Sequence, residues 1–451
     1  MKNRYLFLVL LFLCPGCEKY LDQKPDKALV VPTTLADFND LLNHSDFMNF
    51  TPGLGIVAGD EYYMPKNGLD ALTNLIERNS YMWEKDLYVG TTFAPDWRDP
   101  YRQVFYANVV LEGLGKIIPS DAEKQEWNRL KGSALFFRAW AFYNLAQLFA
   151  DPYDPATADH ILGVPLKLQA DVNSRADRGT LRQTYQQIQS DLQEAVKLLP
   201  AKTVVPTQPS KSAVYALLAR IFHNIEDYGT ALSYADSCLS IKNELIDYNT
   251  VNPALVRPMP RSAENQNVEV LFHATAVRYG FFSSSLIFPD SVLVKSYEEN
   301  DLRKTLFFHA TTGRFIGTYT GRSPLFTGLA TDEVRLVRIE SLARSSQKQK
   351  ALDELNQLVV TRYKKGTYVP ITESRPLELL ELILMERRKQ LFSRGVRWSD
   401  LRRLNKDPRF SKTLFRKLEM NLLSLPPNDA RYLFTIPEDE ILGSGIQQNN
   451  R

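Results

Sequence analysis

The sequence is short of cysteine, of histidine and of net charge, and each shortage excludes a class of protein. Three cysteines in 451 residues are too few for a fold that is held together by disulfides. The five histidines stand apart from one another, without the spacing of metal ligands. Lys+Arg 55 against Asp+Glu 52 leaves a net charge of +3, which is too balanced for binding nucleic acid through its phosphates. We therefore expect a fold stabilised by packing, with no metal site and no nucleic-acid partner.

The sequence also lacks the motifs of common enzymes. It contains no G-x-S-x-G nucleophile elbow, no H-E-x-x-H, no Walker loop and no G-x-G-x-x-G after a strand. The adjacent carboxylates Asp60 and Glu61 would suit one half of a glycosidase pair, but sequence does not show the separation that such a pair needs across a sugar. We expect a protein that binds its ligand without enzyme activity and without a cofactor.

The one long apolar run lies at the N-terminus. Tyr5–Leu13 is nine residues long and follows two basic residues, as in the core of a signal peptide. A helix that crosses a bilayer needs about 20 residues, so this run is too short to span one. It ends in Leu13-Cys14-Pro15-Gly16-Cys17, which resembles a bacterial lipobox. That resemblance implies that residues 1–16 are a signal peptide and that Cys17 carries a lipid anchor; a plain secreted protein is the alternative.

From residue 101 onward the apolar residues recur at helical spacing. Double prolines, single prolines and polar turns divide this pattern into separate segments. The spacing predicts helices over residues 101–111, 127–149, 180–199, 210–223, 228–241, 332–343, 349–363 and from Pro376 onward. A short run over 268–273 predicts a strand, and the stretches 43–100 and 245–330 are rich in loop residues.

The pair of helices over 210–241 fits a degenerate tetratricopeptide repeat. Bulky and small residues fall on the positions at which paired helices interlock and approach closely. These residues are Tyr215, Leu218, Ala219, Phe222, Ala231 and Cys238. We interpret Cys238 as a small, buried packing residue rather than a reactive thiol. The predicted fold class is mainly α, a tetratricopeptide-like helix-pair scaffold with long loop-rich insertions and a few short strands.

Several segments, in the same order along the chain, resemble the SusD/RagB family of nutrient-binding outer-membrane lipoproteins of Bacteroidetes. The segments are Cys17–Pro25, Trp97 to Asn108, Phe137–Phe142, Gly163–Leu166, Asp191–Pro200, Ala213–Arg220, Tyr297–Arg303, Glu386–Arg403 and Leu433–Asn449. Gln390 and Arg394 depart from the family, which usually carries Glu at both places. We interpret Glu386, Arg387, Arg397 and Asp400 as charges that pair with one another beside a buried helix.

The resemblance implies an organisation and a function. After the signal peptide, residues 17–451 would form one SusD-like domain, with an N-terminal part over 17–245, a ligand-face segment over 246–330 and a C-terminal part over 331–451. The protein would face the cell exterior, held by its lipid, and would bind an oligosaccharide or another oligomeric nutrient. It would then deliver that nutrient to a SusC-like TonB-dependent transporter.

Aromatic residues in the loop-rich stretches are the candidate ligand contacts, because sugar rings stack on flat aromatic faces. The candidates are Tyr63, Tyr81, Trp83, Tyr279, Phe282 and Tyr319. Packing beneath the loops is the competing interpretation of the same residues. Two alternative functions remain at this point: capture of a peptide by the same loops, and a tetratricopeptide scaffold that assembles envelope proteins.

Overall fold

A computed structural model describes residues 32–171, 173, 175–372 and 375–451 of the chain. The predicted signal peptide and the predicted lipid attachment at Cys17 lie outside these residues. Among the described residues, no helix combines the length and the apolar character that crossing a membrane requires.

Helices make up most of the regular structure, which confirms the predicted fold class. They are α1 Leu35–Leu42, α2 Ser45–Met48, α3 Leu54–Ala58, α4 Lys66–Asp70, α5 Leu75–Tyr81, α6 Pro95–Leu114, α7 Lys124–Phe149, α8 Leu181–Leu198, α9 Lys211–Asn224, α10 Tyr228–Ile241, α11 Gly280–Ser283, α12 Ser291–Lys295, α13 Arg303–Phe307, α14 Thr331–Arg344, α15 Lys348–Val359, α16 Pro376–Gln390, α17 Arg397–Leu404 and α18 Glu438–Ser444. The predicted loop stretch over 43–100 thus contains several short helices.

The long helices pack in sequential pairs. Helix α7 packs against α6 on one side and α8 on the other, and α9 packs against α10. Helix α14 packs against α10 and then against α15 and α16, where a second, smaller apolar core lies. Cys238 is fully buried between α9 and α10 and its thiol donates to the Ser212 carbonyl at 3.3 Å, which confirms the packing interpretation.

The ends of the helices follow from their local sequences. Thr180 caps α8 with a capping box, in which its hydroxyl accepts from the Gln183 N–H and the Gln183 side chain accepts from the Thr180 N–H. Helix α6 begins at Pro95 rather than at Tyr101, because Pro95 occupies its first turn and the helix also accommodates Pro100.

The strands are short and occur in two-stranded pairs. They are β1 Phe50–Thr51, β2 Tyr62–Tyr63, β3 Leu162–Pro165, β4 Arg178–Thr180, β5 Val270–Phe272, β6 Thr275–Ala276, β7 Phe288–Pro289, β8 Leu329–Ala330, β9 Leu414–Leu418 and β10 Asn421–Leu425. The pairs are β1–β6, β2–β7, β3–β4, β5–β8 and β9–β10. Strand β5 confirms the strand predicted over 268–273, whereas the β9–β10 hairpin was not predicted.

Candidate ligand-binding site

Two open clefts lie among the loop-rich insertions, and the β2–β7 pair separates them. Strand β2 pairs with β7 in antiparallel register, so that Tyr62 lies opposite Pro289 and Tyr63 opposite Phe288. Tyr62 is buried and lines a cavity on each side of this pair. The loop stretches that the sequence singled out therefore contribute residues to both cavities.

We call the first cavity the hairpin cleft, because strand β9 forms one wall. Its volume is about 680 Å³, within the range of small-molecule sites. Its lining residues are Asp60, Tyr62, Tyr63, Met64, Tyr81, Trp83, Asp290, Ser291, Val292, Arg388, Lys412, Thr413, Leu414, Phe415, Arg416, Lys417 and Glu419. Three of the six predicted contact residues, Tyr63, Tyr81 and Trp83, thus meet in one cleft.

Of these three, only Tyr63 presents its ring to solvent. Its residue is 49% exposed, and its ring stacks on Phe288 with 5.3 Å between ring centroids. Phe415 on the opposite wall is 63% exposed. Sequence reasoning missed Phe415, although residues Leu414–Leu418 alternate between buried and exposed side chains, as expected for an edge strand. Tyr63 and Phe415 are the aromatic surfaces that a ligand in this cleft can reach.

Tyr81 and Trp83 lie beneath the cleft floor instead. They are 1% and 2% exposed, and the guanidinium carbon of Arg416 lies 3.7 Å and 4.3 Å from the centres of their rings. The Trp83 indole N–H donates to the Ala58 carbonyl at 2.9 Å, and the Tyr81 hydroxyl accepts from the Met64 N–H at 2.7 Å. Because Arg416 covers both rings, the predicted stacking role does not fit their position.

A charged cluster stands at the inner end of the hairpin cleft. The Asp60 carboxylate accepts from Arg397 at 2.7 Å and lies 3.2 Å from Arg388 and 2.5 Å from Lys412. Burial alone would raise the pKa of Asp60, but these three cations hold that pKa well below its usual value. Asp60 is therefore an ionised structural anchor for strand β9 and the start of α17.

The pKa of Glu61 shifts in the opposite direction to that of Asp60. Burial, reinforced by the charge of Asp60, raises the pKa of Glu61 to about 7, although the Ser393 N–H donates to its carboxyl at 2.6 Å. Glu61 does not line the hairpin cleft. Glu61 is therefore not placed to act on a sugar bound in the hairpin cleft.

We call the second site the arginine cleft, because four arginines line it. It consists of two adjoining cavities of about 310 and 570 Å³, which share Arg257, Phe282, Arg314, Ser323 and Leu325. The predicted contact Phe282 is half-buried and lines both cavities, and Tyr279 lines the larger one. Most of its lining residues come from the ranges 276–283 and 309–325.

Tyr279 and Tyr319 are buried by polar contacts as well as by packing. The Tyr279 hydroxyl donates to Asp96, which also accepts from the N–H groups of Gly53 and Leu54 at 2.6 and 2.8 Å. Tyr279 therefore offers the cleft little more than a ring edge, since it is 4% exposed. Tyr319 is 1% exposed and lines neither cleft, so the predicted ligand contact does not fit its position.

Tyr319 belongs instead to a buried polar network below the clefts. Its hydroxyl donates to Glu269 at 2.7 Å and accepts from the Gln390 side-chain amide at 3.0 Å. The same amide donates to Asp332 at 2.9 Å, and Arg394 lies 3.2 Å from that carboxylate. The two departures from the family pattern, Gln390 and Arg394, thus meet at one carboxylate and satisfy it.

The four charges predicted to pair do so with partly different partners. Arg387 pairs with Asp400 at 2.8 Å, as predicted. Arg397 pairs with Asp60 instead, and Glu386 pairs with Arg303 at 2.8 Å. All of these contacts are structural, because each charge is buried and compensated within the chain.

Comparison with known proteins supports this description of the fold. The family model described as "Starch-binding associating with outer membrane" (SusD-like) matches residues 19–222. A SusD-like protein of Formosa agariphila is 26% identical over 219 residues, which cover 43% of this chain and 37% of that protein. The match thus spans well under half of that relative's length.

Solved structures share the fold over nearly the whole chain. A putative sugar-binding protein of Bacteroides vulgatus superposes with a TM-score of 0.72 at 20% identity, covering 93% of this chain and 99% of its own. A SusD superfamily protein of Bacteroides thetaiotaomicron gives 0.72 at 20% identity, covering 93% and 100%. A third structure, from Bacteroides fragilis, gives 0.73 at 18% identity, covering 92% and 99%.

Proposed function

We propose that this chain is a member of the SusD-like family, whose model matches residues 19–222. We further propose that it is a surface lipoprotein that binds an oligomeric glycan. In this proposal the protein holds the glycan on its loop face and delivers it, unaltered, to a partner TonB-dependent transporter. The ligand would lie between the two proteins, gaining affinity from both surfaces and losing its route of escape during transfer.

The hairpin cleft is the observation that carries the glycan proposal. Exposed aromatic rings at Tyr63 and Phe415 face a cavity of about 680 Å³ that is also lined by Lys417 and Glu419. Apolar ring faces beside charged and hydroxyl-bearing side chains suit a sugar, whose C–H face stacks while its hydroxyls form hydrogen bonds. The cleft is open along one side, so it accommodates a chain longer than its own volume.

The membrane attachment follows from the sequence rather than from the described residues. Cys17 would carry acyl chains that hold the protein on the outer membrane, with the paired helices toward the transporter and the loop face toward the ligand. Several acyl chains together give firm anchoring, at about 0.8 kcal/mol per buried methylene. A Cys17→Ser variant should therefore be found in the soluble fraction instead of the membrane fraction.

The first prediction tests the aromatic contacts of the hairpin cleft. Affinity gels against a panel of neutral and acidic polysaccharides would identify a ligand, and isothermal titration would measure it. Tyr63→Ala and Phe415→Ala should each weaken binding about tenfold, because an aromatic contact contributes roughly 0.5–1.5 kcal/mol beyond the area it buries. Phe93→Ala is the matched control, since Phe93 is 41% exposed and lines neither cleft.

The outcomes separate the competing functions. Binding of peptides but of no polysaccharide would favour the peptide-binding alternative within the same family. Binding of neither, together with co-purification of envelope proteins, would favour the scaffold. Recovery of shortened oligosaccharides after incubation would contradict the proposal that the ligand is released unaltered.

A further inference from the structure

The arginine cleft carries a strong excess of positive charge. The four arginines that line it are Arg257, Arg278, Arg314 and Arg322. No aspartate or glutamate is among the residues that line either of its two cavities. Arg322 pairs with Glu264 behind the wall, which leaves three guanidinium groups without a carboxylate partner among the described residues. A net charge of +3 for the whole chain makes this local excess a property of the site and not of the protein.

Two of these arginines are half-buried and close to each other. Arg257 donates only to the Phe315 carbonyl, at 3.3 Å, and Arg314 donates to the Ser283 and Ser284 carbonyls at 3.3 and 3.1 Å. Burial, and next the neighbouring charge of Arg314, lowers the pKa of Arg257. A guanidinium stays protonated in proteins, so the two groups remain as like charges in a partly desolvated wall.

Among the described residues, each arginine that is itself buried pairs with a carboxylate or donates to at least two backbone carbonyls. Arg220 pairs with Glu333 at 2.6 Å, and Arg362 pairs with Glu269 at 2.7 Å. Arg416 has no carboxylate, yet it donates to the carbonyls of Val57, Ala58 and Gly59. Arg257 has no carboxylate partner among the described residues and donates to one carbonyl alone, that of Phe315 at 3.3 Å. Uncompensated, half-buried cations are unfavourable for folding, and they bind an anion strongly because much of their hydration is already lost.

From this arrangement we propose that the arginine cleft binds the anionic groups, sulfate esters or uronate carboxylates, of an acidic glycan. The inference rests on the proposed function and names the substrate class. Arg257 and Arg314 would hold one anionic group inside the cleft. Arg278 is exposed and makes no hydrogen bond or ion pair with a described residue. It would hold a second anionic group at the mouth of the cleft. Phe282, half-buried between the two cavities, offers an apolar surface to the intervening sugar ring.

A sulfate ester is tetrahedral and a carboxylate is planar, but each presents two oxygens that a guanidinium can bind through two parallel hydrogen bonds. The test therefore uses one polymer of each kind. Isothermal titration at low salt would compare dextran sulfate, polygalacturonate, uncharged dextran and polyglutamate. Preference for the first polymer or the second identifies the anionic group, and the expected result is that one of them binds at least tenfold more tightly than uncharged dextran.

Arginine variants distinguish binding in the arginine cleft from general attraction between a cationic protein and an anionic polymer. Arg278→Gln and Arg257→Gln should each weaken binding of the acidic glycan about tenfold, since a hydrogen bond to a charged group contributes roughly 1.5–3 kcal/mol. Arg98→Gln is the matched control: Arg98 is exposed on α6, lines neither cleft and changes the net charge equally. Arg257→Gln should also raise Tm or leave it unchanged, whereas a structural arginine would lower Tm when removed.

The titrations distinguish failure of the acidic-ligand inference from failure of the proposed glycan binding. Tight binding of a neutral glycan that is insensitive to both variants would overturn the acidic-ligand inference and leave glycan binding intact. Equal losses in Arg98→Gln and Arg278→Gln would reduce the effect to general electrostatics and also overturn the inference. Preference for polyglutamate over every polysaccharide would overturn both the inference and the glycan proposal.

Discussion

Individual aromatic residues in the loop-rich stretches divide into exposed rings, which we propose as ligand contacts, and buried rings, which support the fold. Tyr63 and Trp83 line the same hairpin cleft, yet they are 49% and 2% exposed. Composition and motif position could not separate them, because large aromatics dominate both cores and sugar sites. Their separation depends on Arg416, which lies more than 330 residues away in sequence and covers the Trp83 ring.

The difference in burial between Trp83 and Tyr63 can be tested by measuring the free energy of unfolding of variants at each residue. Trp83→Ala should lower the free energy of unfolding by about 3–5 kcal/mol, because it leaves a cavity and removes the hydrogen bond to Ala58. Tyr63→Ala should change it by less than about 1 kcal/mol. Urea unfolding followed by far-ultraviolet circular dichroism measures both. Equal losses would mean that the ring of Trp83 is not enclosed as described.

Among the elements, the β9–β10 hairpin shapes the site most, and it was the element that sequence reasoning missed. Its two-residue turn is Glu419-Met420, with Glu419 at a φ of 54°. Such turns usually carry Asn-Gly, which tolerates a positive φ, so the familiar signal is absent. Strand β10 also carries two adjacent leucines, Leu422 and Leu423, which blur the alternation that marks a strand.

The helices, by contrast, could be predicted because their signals are local. The signals for α8 show this: its apolar residues are regularly spaced, Thr180 caps its start and Pro200 follows its end. The start of α6 was displaced, since Pro100 within it imitates a boundary. The short helices α2–α5 and α11–α13 lie in stretches that were predicted as loops. The site could not be predicted to the same degree, because its walls come from segments that are distant in sequence.

Arg416 attaches the β9–β10 hairpin to the carbonyls of Val57, Ala58 and Gly59. Arg416→Ala should destabilise the protein by about 3 kcal/mol, because it leaves the buried carbonyls of Val57 and Gly59 without a donor, while Ala58 keeps the Trp83 indole. Removing the guanidinium should also expose Trp83 to acrylamide, which would be measured by quenching of tryptophan fluorescence. Lys417→Ala, one residue along on the exposed face, should show neither effect.

Across the whole molecule, buried ionisable groups set how stability depends on pH, and they act in opposite directions. Burial raises the pKa of Glu61 to about 7 and that of Asp96 to about 6. Both are then protonated in the folded state over a range in which the unfolded chain has released the proton. Their contribution to stability is therefore lost as pH rises from about 4 to 7.

The buried histidines act the other way. Burial lowers the pKa of both His223 and His273 to about 4, so they stay neutral in the folded state while the unfolded chain binds protons below about pH 6.5. Their contribution is lost as pH falls from 6.5 to 4. Below pH 4, Asp60 and Glu340 add a further loss, because both have a pKa held well below its usual value in the folded state by neighbouring cations.

The opposing pKa shifts of the carboxyl groups and the histidines predict a Tm that is nearly constant over part of the pH range and falls steeply at its acid end. Tm should change little between pH 4.5 and 6.5, where the carboxyl groups and the histidines offset each other, and should fall sharply below pH 4. Glu61→Gln removes one carboxyl from the balance, so its Tm should rise with pH across the plateau, while the wild type stays level. Thermal unfolding at intervals from pH 3 to 8 measures both curves. A wild-type Tm that climbs steadily from pH 4 to 8 would show that Glu61 and Asp96 are ionised in the folded protein, and would contradict the burial that shapes the loop face.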